Sequence, residues 1–379
     1  MARVSKTAEK DAGDQHPKDA DQLAGQLAAR ENPNLFGHEA AESLFLAAFE
    51  SGRFHHAWLM TGEPGIGKAT FAYRMARRIL AGGDGERAVN DPASAVFRQV
   101  ATLAHPGLFA VRRPWQPQTG KFAALIPVEK VRRLKHFFET TSATPWRIAI
   151  IDQADDLNVS SANALLKLLE EPPPRSLFLL VSAAPARLPQ TIRSRCRRLA
   201  LRPLSAEANR NAVMTALDAG KSEFALEAVN TALDASQGNP RRALEALDGA
   251  TQTLEKAILE LFNQLPALDQ QTLWSLVDKA SGAQGGVSGQ ILDIVERRLT
   301  QIIGETASGA ACAPDHFAKA RRLFSRGNLA LWTGLWETLG RARADAERLN
   351  LDRATLVINI FAQMQSVARA AQQANTKTL

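Results

Sequence analysis

The sequence predicts an α/β fold with a parallel sheet followed by all-helical regions, and three observations carry that expectation. Three short apolar runs, at 57–60 (AWLM), 148–151 (IAII) and 177–181 (LFLLV), alternate with helix-patterned stretches. Continuous apolar runs mark strands buried on both faces, as a helix-covered parallel sheet requires. A glycine-rich turn follows the first run directly and opens a helical pattern. After about Pro203 no convincing strand remains, and the chain is rich in Ala and Leu to its end.

Taken in order, residues 1–33 mix Lys, Asp, Gln and Ala without a sustained apolar face, which predicts a disordered leader. The leader has no apolar core of the kind a secretory signal carries, so the cytoplasm is the expected compartment. Leu35, Leu44, Leu46 and Phe49 sit in a helix-like stretch that stops at Ser51-Gly52. Beyond the first strand and its turn, residues 70–80 place Phe71, Met75, Ile79 and Leu80 on one helical face. Residues 81–120 are rich in Gly, Pro and polar side chains. Helical spacing resumes at Val128, Val131, Leu134, Phe137 and Phe138. A further helix is expected from about Ser160 to Glu171, capped by Asn158 or Ser160 and stopped by prolines 172–174. The stretch 281–289 (SGAQGGVSG) reads as a loop within the helical part. These signals divide the chain into a leader (1–33), a P-loop α/β domain (34–203), a small helical domain (204–253), a larger all-helical domain (254–373) and a tail (374–379).

Composition narrows the function classes. No apolar stretch reaches the roughly 18–20 residues of a membrane span, so no membrane partner is expected. Two cysteines, Cys196 and Cys312, stand far apart, which excludes a disulfide framework and a purely cysteine-ligated zinc site. The formal net charge of +7 fits a nucleic-acid or other anionic partner, and equally fits a merely arginine-rich proteome.

Three segments carry chemistry. The first is 62–70 (GEPGIGKAT), with P-loop spacing between a strand and a helix. Gly62, Gly65 and Gly67 let backbone N–H groups curl around phosphates, and Lys68 neutralises phosphate charge. The residue expected to ligate Mg²⁺ is Ala69, whose methyl cannot coordinate a metal. Thr70 is rotated by about 100° on the helix and is no direct replacement. The second segment follows the 148–151 strand, where Asp152 occupies the Mg²⁺-holding position of P-loop NTPases. Gln153 stands where a glutamate usually polarises the attacking water, and it takes no proton at neutral pH. Two catalytic positions are therefore altered, so ATP or ADP binding is expected to outlast hydrolysis. The third segment, 191–196 (TIRSRC), holds Arg195. An arginine at a subunit edge reaches a neighbour's γ-phosphate; a basic helix end complementing its own dipole is the other reading, and spacing alone favours it.

Taken together, these residues resemble the clamp-loader subunits of bacterial DNA polymerase III, a branch of the AAA+ superfamily that includes replication factor C. The matching stretches are 52–57 (GRFHHA), the P-loop, His105-Pro106 and 126–132 (IPVEKVR). The most specific are 152–173 (DQADDLNVSSANALLKLLEEPP), Leu188-Pro189 and Ser194-Arg195-Cys196. The resemblance covers residues 34–245 well and the remainder by helical pattern. It implies an AAA+ module, a helical lid, and an all-helical collar that closes a five-subunit ring with other clamp-loader subunits. It further implies a sliding clamp and primer-template DNA as partners, the DNA held through phosphate contacts. In this family motor subunits keep the P-loop threonine and the glutamate, whereas non-motor subunits lack one or both and keep Ser-Arg-Cys. Ala69 and Gln153 therefore imply a non-motor subunit, with Arg195 acting in trans and Arg241, in 238–241 (GNPR), at a nucleotide-facing position. Relatives often carry a four-cysteine zinc module between the P-loop and Asp152. Residues 81–120 hold no cysteine, so no zinc is expected. Trp274, Trp332 and Trp336 read as core or interface packing. An ATP-hydrolysing motor subunit, or another AAA+ ATPase, is the alternative function.

Overall fold

In the computed structural model the three expected apolar strands form the centre of a five-stranded parallel sheet. The structure describes residues 19–377 except 24, 53, 83–88, 140–143, 223, 282–286, 309–319, 321, 350 and 351. Residues 1–18 of the expected leader, Cys312, most of the expected 281–289 loop and the last two residues of the tail lie outside the described residues.

The chain enters through α1 (Glu39–Glu50) and β1 (Ala57–Thr61), then passes the P-loop into α2 (Lys68–Leu80). A short α3 (Ala95–Ala101) is capped by the Ser94 side chain, which accepts from the Phe97 N–H, and β2 (Leu108–Val111) follows. A two-residue antiparallel ladder pairs β3 (Trp115–Gln116) with β4 (Lys121–Phe122); Trp115 and Phe122 meet at 5.0 Å between ring centroids. Then come α4 (Val128–Glu139), β5 (Arg147–Ile151), α5 (Val159–Glu170), β6 (Ser176–Ser182), the single turn α6 (Gln190–Arg193) and β7 (Arg197–Ala200). Asn158 caps α5 by accepting from the Ser161 N–H, which settles the choice between Asn158 and Ser160.

Strand order is β2-β5-β6-β1-β7. Side chains alternate along each strand and build two cores. Trp58, Met60, Ile148, Ile150, Leu177 and Leu179 pack with Phe45, Phe71 and Met75 on one face. Ala57, Leu59, Ala149, Ile151, Phe178 and Leu180 pack with Val131, Leu134 and Leu165 on the other. Both sheet faces are thus covered, which is why the central strands read as unbroken apolar runs.

Helices α7 (Ala206–Ala219), α8 (Leu226–Ser236) and α9 (Pro240–Leu247) follow the sheet. The chain divides into two compact units between Glu245 and Ala246, inside α9. The second unit contains α10 (Gly249–Gln264), α11 (Gln270–Ser281), α12 (Val287–Ser308), α13 (Leu329–Leu349) and α14 (Arg353–Lys377). Its own core gathers Ile258, Phe262, Leu276, Val295, Trp332 and Phe361.

One sequence expectation is corrected. The leader is not disordered through residue 33: Asp19, Ala28 and Arg30 are buried. Arg77 of α2 explains the difference. It is buried against the Phe97 ring and donates to the carbonyls of Arg30 (3.1 Å) and Asn32 (3.0 Å). Burying a guanidinium is costly unless its donors are used, so the segment that supplies those acceptors is held in place.

Candidate functional site

The P-loop has the backbone its glycines foretold. Gly62, Gly65 and Gly67 have φ of 152°, 84° and 99°, conformations that L side chains rarely adopt. Gly67 precedes the first turn of α2, so the loop's N–H groups and the helix start converge on one anion-binding cradle. Lys68 is buried and donates to the carbonyls of Gly62 (2.8 Å) and Glu63 (2.6 Å). Burial lowers its pKa to about 8, against an opposing pull from Asp155, Asp21 and Asp152.

Asp152 lies one residue past β5 and is buried, with Oδ1 lacking a hydrogen-bond partner among the described residues. Burial raises its pKa to about 7, and the Asp21 carboxylate adds to the shift. An orphaned carboxylate oxygen suits a cation or a donor supplied by a ligand. The P-loop and Lys68 fit nucleotide phosphates. The Mg²⁺ set fits only in part, because Asp152 is present while the first turn of α2 offers Ala69, with Thr70 half-buried beside it. Gln153 has φ of 57°, and its Oε1 accepts from Arg113 Nε at 2.9 Å; Arg113 also pairs with Asp156 at 3.2 Å.

The start of α9 packs against the P-loop. Asn239 is buried and donates to the Pro64 carbonyl at 2.8 Å. A Cβ placed on Gly65 would lie 2.3 Å from Arg241 Cβ, so only glycine permits this approach. The Arg241 guanidinium itself is held by Glu245 (2.8 Å) and by the Asp21 carbonyl. Gly62, Gly65, Gly67, Lys68, Asp152 and Arg241 therefore lie near one another around the P-loop.

Arg195 belongs to a different place. It sits between α6 and β7, with its side chain 37% exposed; it pairs with Glu170 at 2.8 Å and donates to the Thr191 carbonyl at 3.0 Å. Its named partners lie on α5 and α6, and none is a P-loop residue. The adjacent Cys196 thiol is pushed up to about 12 by burial and is unreactive at neutral pH.

The family model described as "DNA polymerase III, delta subunit" matches residues 37–205. The chain is 31% identical over 203 residues to DNA polymerase III subunit gamma of Buchnera aphidicola, covering 53% of each chain. It is 28% identical over 277 residues to subunit tau of Escherichia coli (68% of this chain, 40% of that one). Subunit delta' of Escherichia coli is 30% identical over 219 residues (56% of this chain, 62% of that one). The chain thus spans about half the length of these curated relatives. No described helix is long and apolar enough to cross a membrane.

Sequence reasoning gave no role to four residues near the P-loop. Tyr73 is buried with its hydroxyl unpartnered among the described residues, and burial with Asp152 nearby raises its pKa. Asp155 accepts from the Ser182 hydroxyl (2.6 Å) and from the N–H groups of Ala183 and Ala184, fixing the end of β6. Asp21 and Asn239 come from outside the sheet; only the 238–241 stretch gave a signal, and for Arg241 rather than Asn239.

His38, His56 and His105 give the module an acid-sensitive side. His38 Nε2–H donates to the Ile66 carbonyl at 2.7 Å, and His105 Nδ1 accepts from the Gly107 N–H at 3.0 Å. Burial lowers all three pKa values. A histidine lowered below its unfolded value of about 6.5 contributes full stability above that pH and loses it as pH falls through the folded value. Asp152 opposes this, because its raised folded pKa makes protonation favour the folded state as pH falls below about 7. Asp152→Asn removes the opposing carboxyl, so denaturant titrations of that variant should show the first unit losing stability from pH 7 to 5, and the unaltered chain should lose less over the same range. Stability of Asp152→Asn that holds or rises on acidification contradicts the assignment of neutral imidazoles.

Proposed function

We propose that the chain is a delta-prime-like, non-motor subunit of the DNA polymerase III clamp loader. It would help place a sliding clamp on primed DNA and lend Arg195 to the active site of an adjacent motor subunit. The observation that carries this reading is the state of its own pocket. The cradle and Lys68 are complete, whereas Ala69 offers no metal ligand and Gln153, tied to Arg113, offers no base. Nucleotide phosphates would rest on the 62–67 backbone and Lys68, and the Asp152 carboxylate, with Oδ1 unpartnered among the described residues, would face a cation. Bound magnesium supplies charge neutralisation between phosphates in such sites; the chain's residues would bind and orient nucleotide without activating water.

The helical second unit would serve as the collar and α7–α9 as the lid, with other clamp-loader subunits, the clamp and DNA phosphates as partners. The gamma and tau relatives favour a second reading, a motor subunit with its own turnover. Steady-state ATP hydrolysis by the isolated chain separates the two. Turnover at background level is expected. Hydrolysis comparable to a motor AAA+ subunit, abolished by Lys68→Ala, would establish the motor reading instead.

A further inference from the structure

The residues preceding Asn34 do more than fill the groove beside Arg77. Asp19 is buried and ion-paired with both Arg30 and Arg112, the latter just beyond the end of β2. Gln22 N–H bonds back to the Asp19 carbonyl at 3.1 Å, forming a tight turn with Asp21 at its tip. From this turn the Asp21 carbonyl accepts from Arg241 of α9. The chain then passes the end of α7, where a Cβ on Gly220 would lie 3.1 Å from Gln26 Nε2 and 3.3 Å from the Gly25 carbonyl. The segment therefore runs from the sheet edge to the lid, spanning the two bodies between which the P-loop pocket opens. The Asp21 side chain remains open to solvent, and its field acts on Lys68, Asp152 and Tyr73.

We infer that residues 19–22 form an anionic strap across the mouth of the P-loop pocket, tied to Arg112 and Arg241, which an entering nucleotide must displace. The strap rests on the reading of 62–68 as a nucleotide site. Its chemistry follows from charge. The cationic groups around the pocket, Lys68, Arg112 and Arg241, already face acidic or carbonyl partners from the chain itself. A nucleoside di- or triphosphate brings several negative charges to the same groups, and a fixed, solvent-exposed carboxylate at the mouth repels it in a salt-sensitive way. Freeing Arg241 from the Asp21 carbonyl also returns a planar donor fork to the phosphates.

The test uses the full chain and measures equilibrium binding of ATP and of ADP, at low and high salt, for the unaltered chain, Asp21→Asn, Asp19→Asn and Lys68→Ala. Asp21→Asn keeps the side chain's shape and should bind roughly tenfold more tightly at low salt, a gain that shrinks as salt screens the charge. Asp19→Asn, which weakens the anchor on Arg30 and Arg112, should move affinity in the same direction, and Lys68→Ala should abolish binding. In the unaltered chain, saturating nucleotide should speed hydrogen exchange at the Gln22 amide. Equal affinity for Asp21→Asn and the unaltered chain, or exchange at Gln22 that nucleotide leaves unchanged or slows, overturns the strap while leaving the nucleotide site standing. Absence of binding by all four chains overturns the nucleotide site and the strap with it.

Discussion

A reconstituted clamp loader carrying Arg195→Ala in this chain is expected to assemble normally and to hydrolyse ATP many-fold more slowly when clamp and DNA are present. Assembly should survive because Arg195 contributes little to its own fold. Its pairing with Glu170 is between side chains 37% and 42% exposed, and such pairs contribute about 0–1 kcal/mol. Catalysis should not survive intact. An arginine finger spreads the charge developing on a transferred phosphoryl group and accounts for about 10³–10⁵ in rate in the best-studied NTPases. The loss in the whole complex will be smaller, since sites that do not use this arginine continue to turn over. Arg195→Lys should restore little, because an ammonium keeps the charge without the planar fork. ATP turnover of the purified complex, read beside its elution profile, checks both halves. A wild-type rate with Arg195→Ala would leave Arg195 as a basic residue complementing the end of its own short helix.

Trp332→Ala is expected to destabilise the helical second unit by about 3–5 kcal/mol, the cost of truncating a large aromatic side chain in a packed core. Trp332 is fully buried, stacks on Phe324 with ring centroids 4.0 Å apart, and donates its indole N–H to the Leu323 carbonyl at 3.0 Å. Removing it leaves a cavity and takes one of two donors from the Leu323 carbonyl, which keeps the Asn328 side-chain amide at 2.8 Å. Since whole domains are stable by only about 5–15 kcal/mol, the helical unit should melt well below the unaltered chain in calorimetry. Trp336→Ala provides the contrast. That indole is 40% exposed and donates to the Thr300 hydroxyl at 3.0 Å, so its loss should cost far less. Equal destabilisation by the two variants would contradict the packing described for α13.

The contrast between those tryptophans also marks what the sequence makes legible. Periodicity placed Trp274, Trp332 and Trp336 on helices and suggested packing for all three; the structure buries Trp332 and leaves Trp274 and Trp336 largely exposed. The central strands β1, β5 and β6 were readable because burial on both faces removes every polar residue from their middles. The edge strands were not. In β7 only Leu199 is buried among Arg197, Arg198 and Ala200, and such a charged sequence suits a sheet edge and gives no apolar signal. The P-loop was readable because its chemistry demands glycine at fixed spacing. The packing of residues 19–33 was invisible for the opposite reason: Asp19, Arg30 and Arg77 hold them by long-range pairing of charged groups, which leaves no local pattern. The approach of α9 to the P-loop was hidden in the same way, since Gly65 reads as a phosphate-loop glycine and gives no sign of the 2.3 Å clearance problem with Arg241.

One comparison separates a chain that lends an arginine from a chain that turns over nucleotide itself. ATP turnover by the reconstituted complex should be measured with Lys68→Ala in this chain and, in parallel, with Arg195→Ala. Lys68→Ala removes the buried ammonium that donates to the Gly62 and Glu63 carbonyls of the phosphate loop. The expected result is a complex that hydrolyses ATP at the unaltered rate with Lys68→Ala and many-fold more slowly with Arg195→Ala. A complex slowed by Lys68→Ala and indifferent to Arg195→Ala would mean that the chain's own pocket is the working site, and would contradict the non-motor assignment.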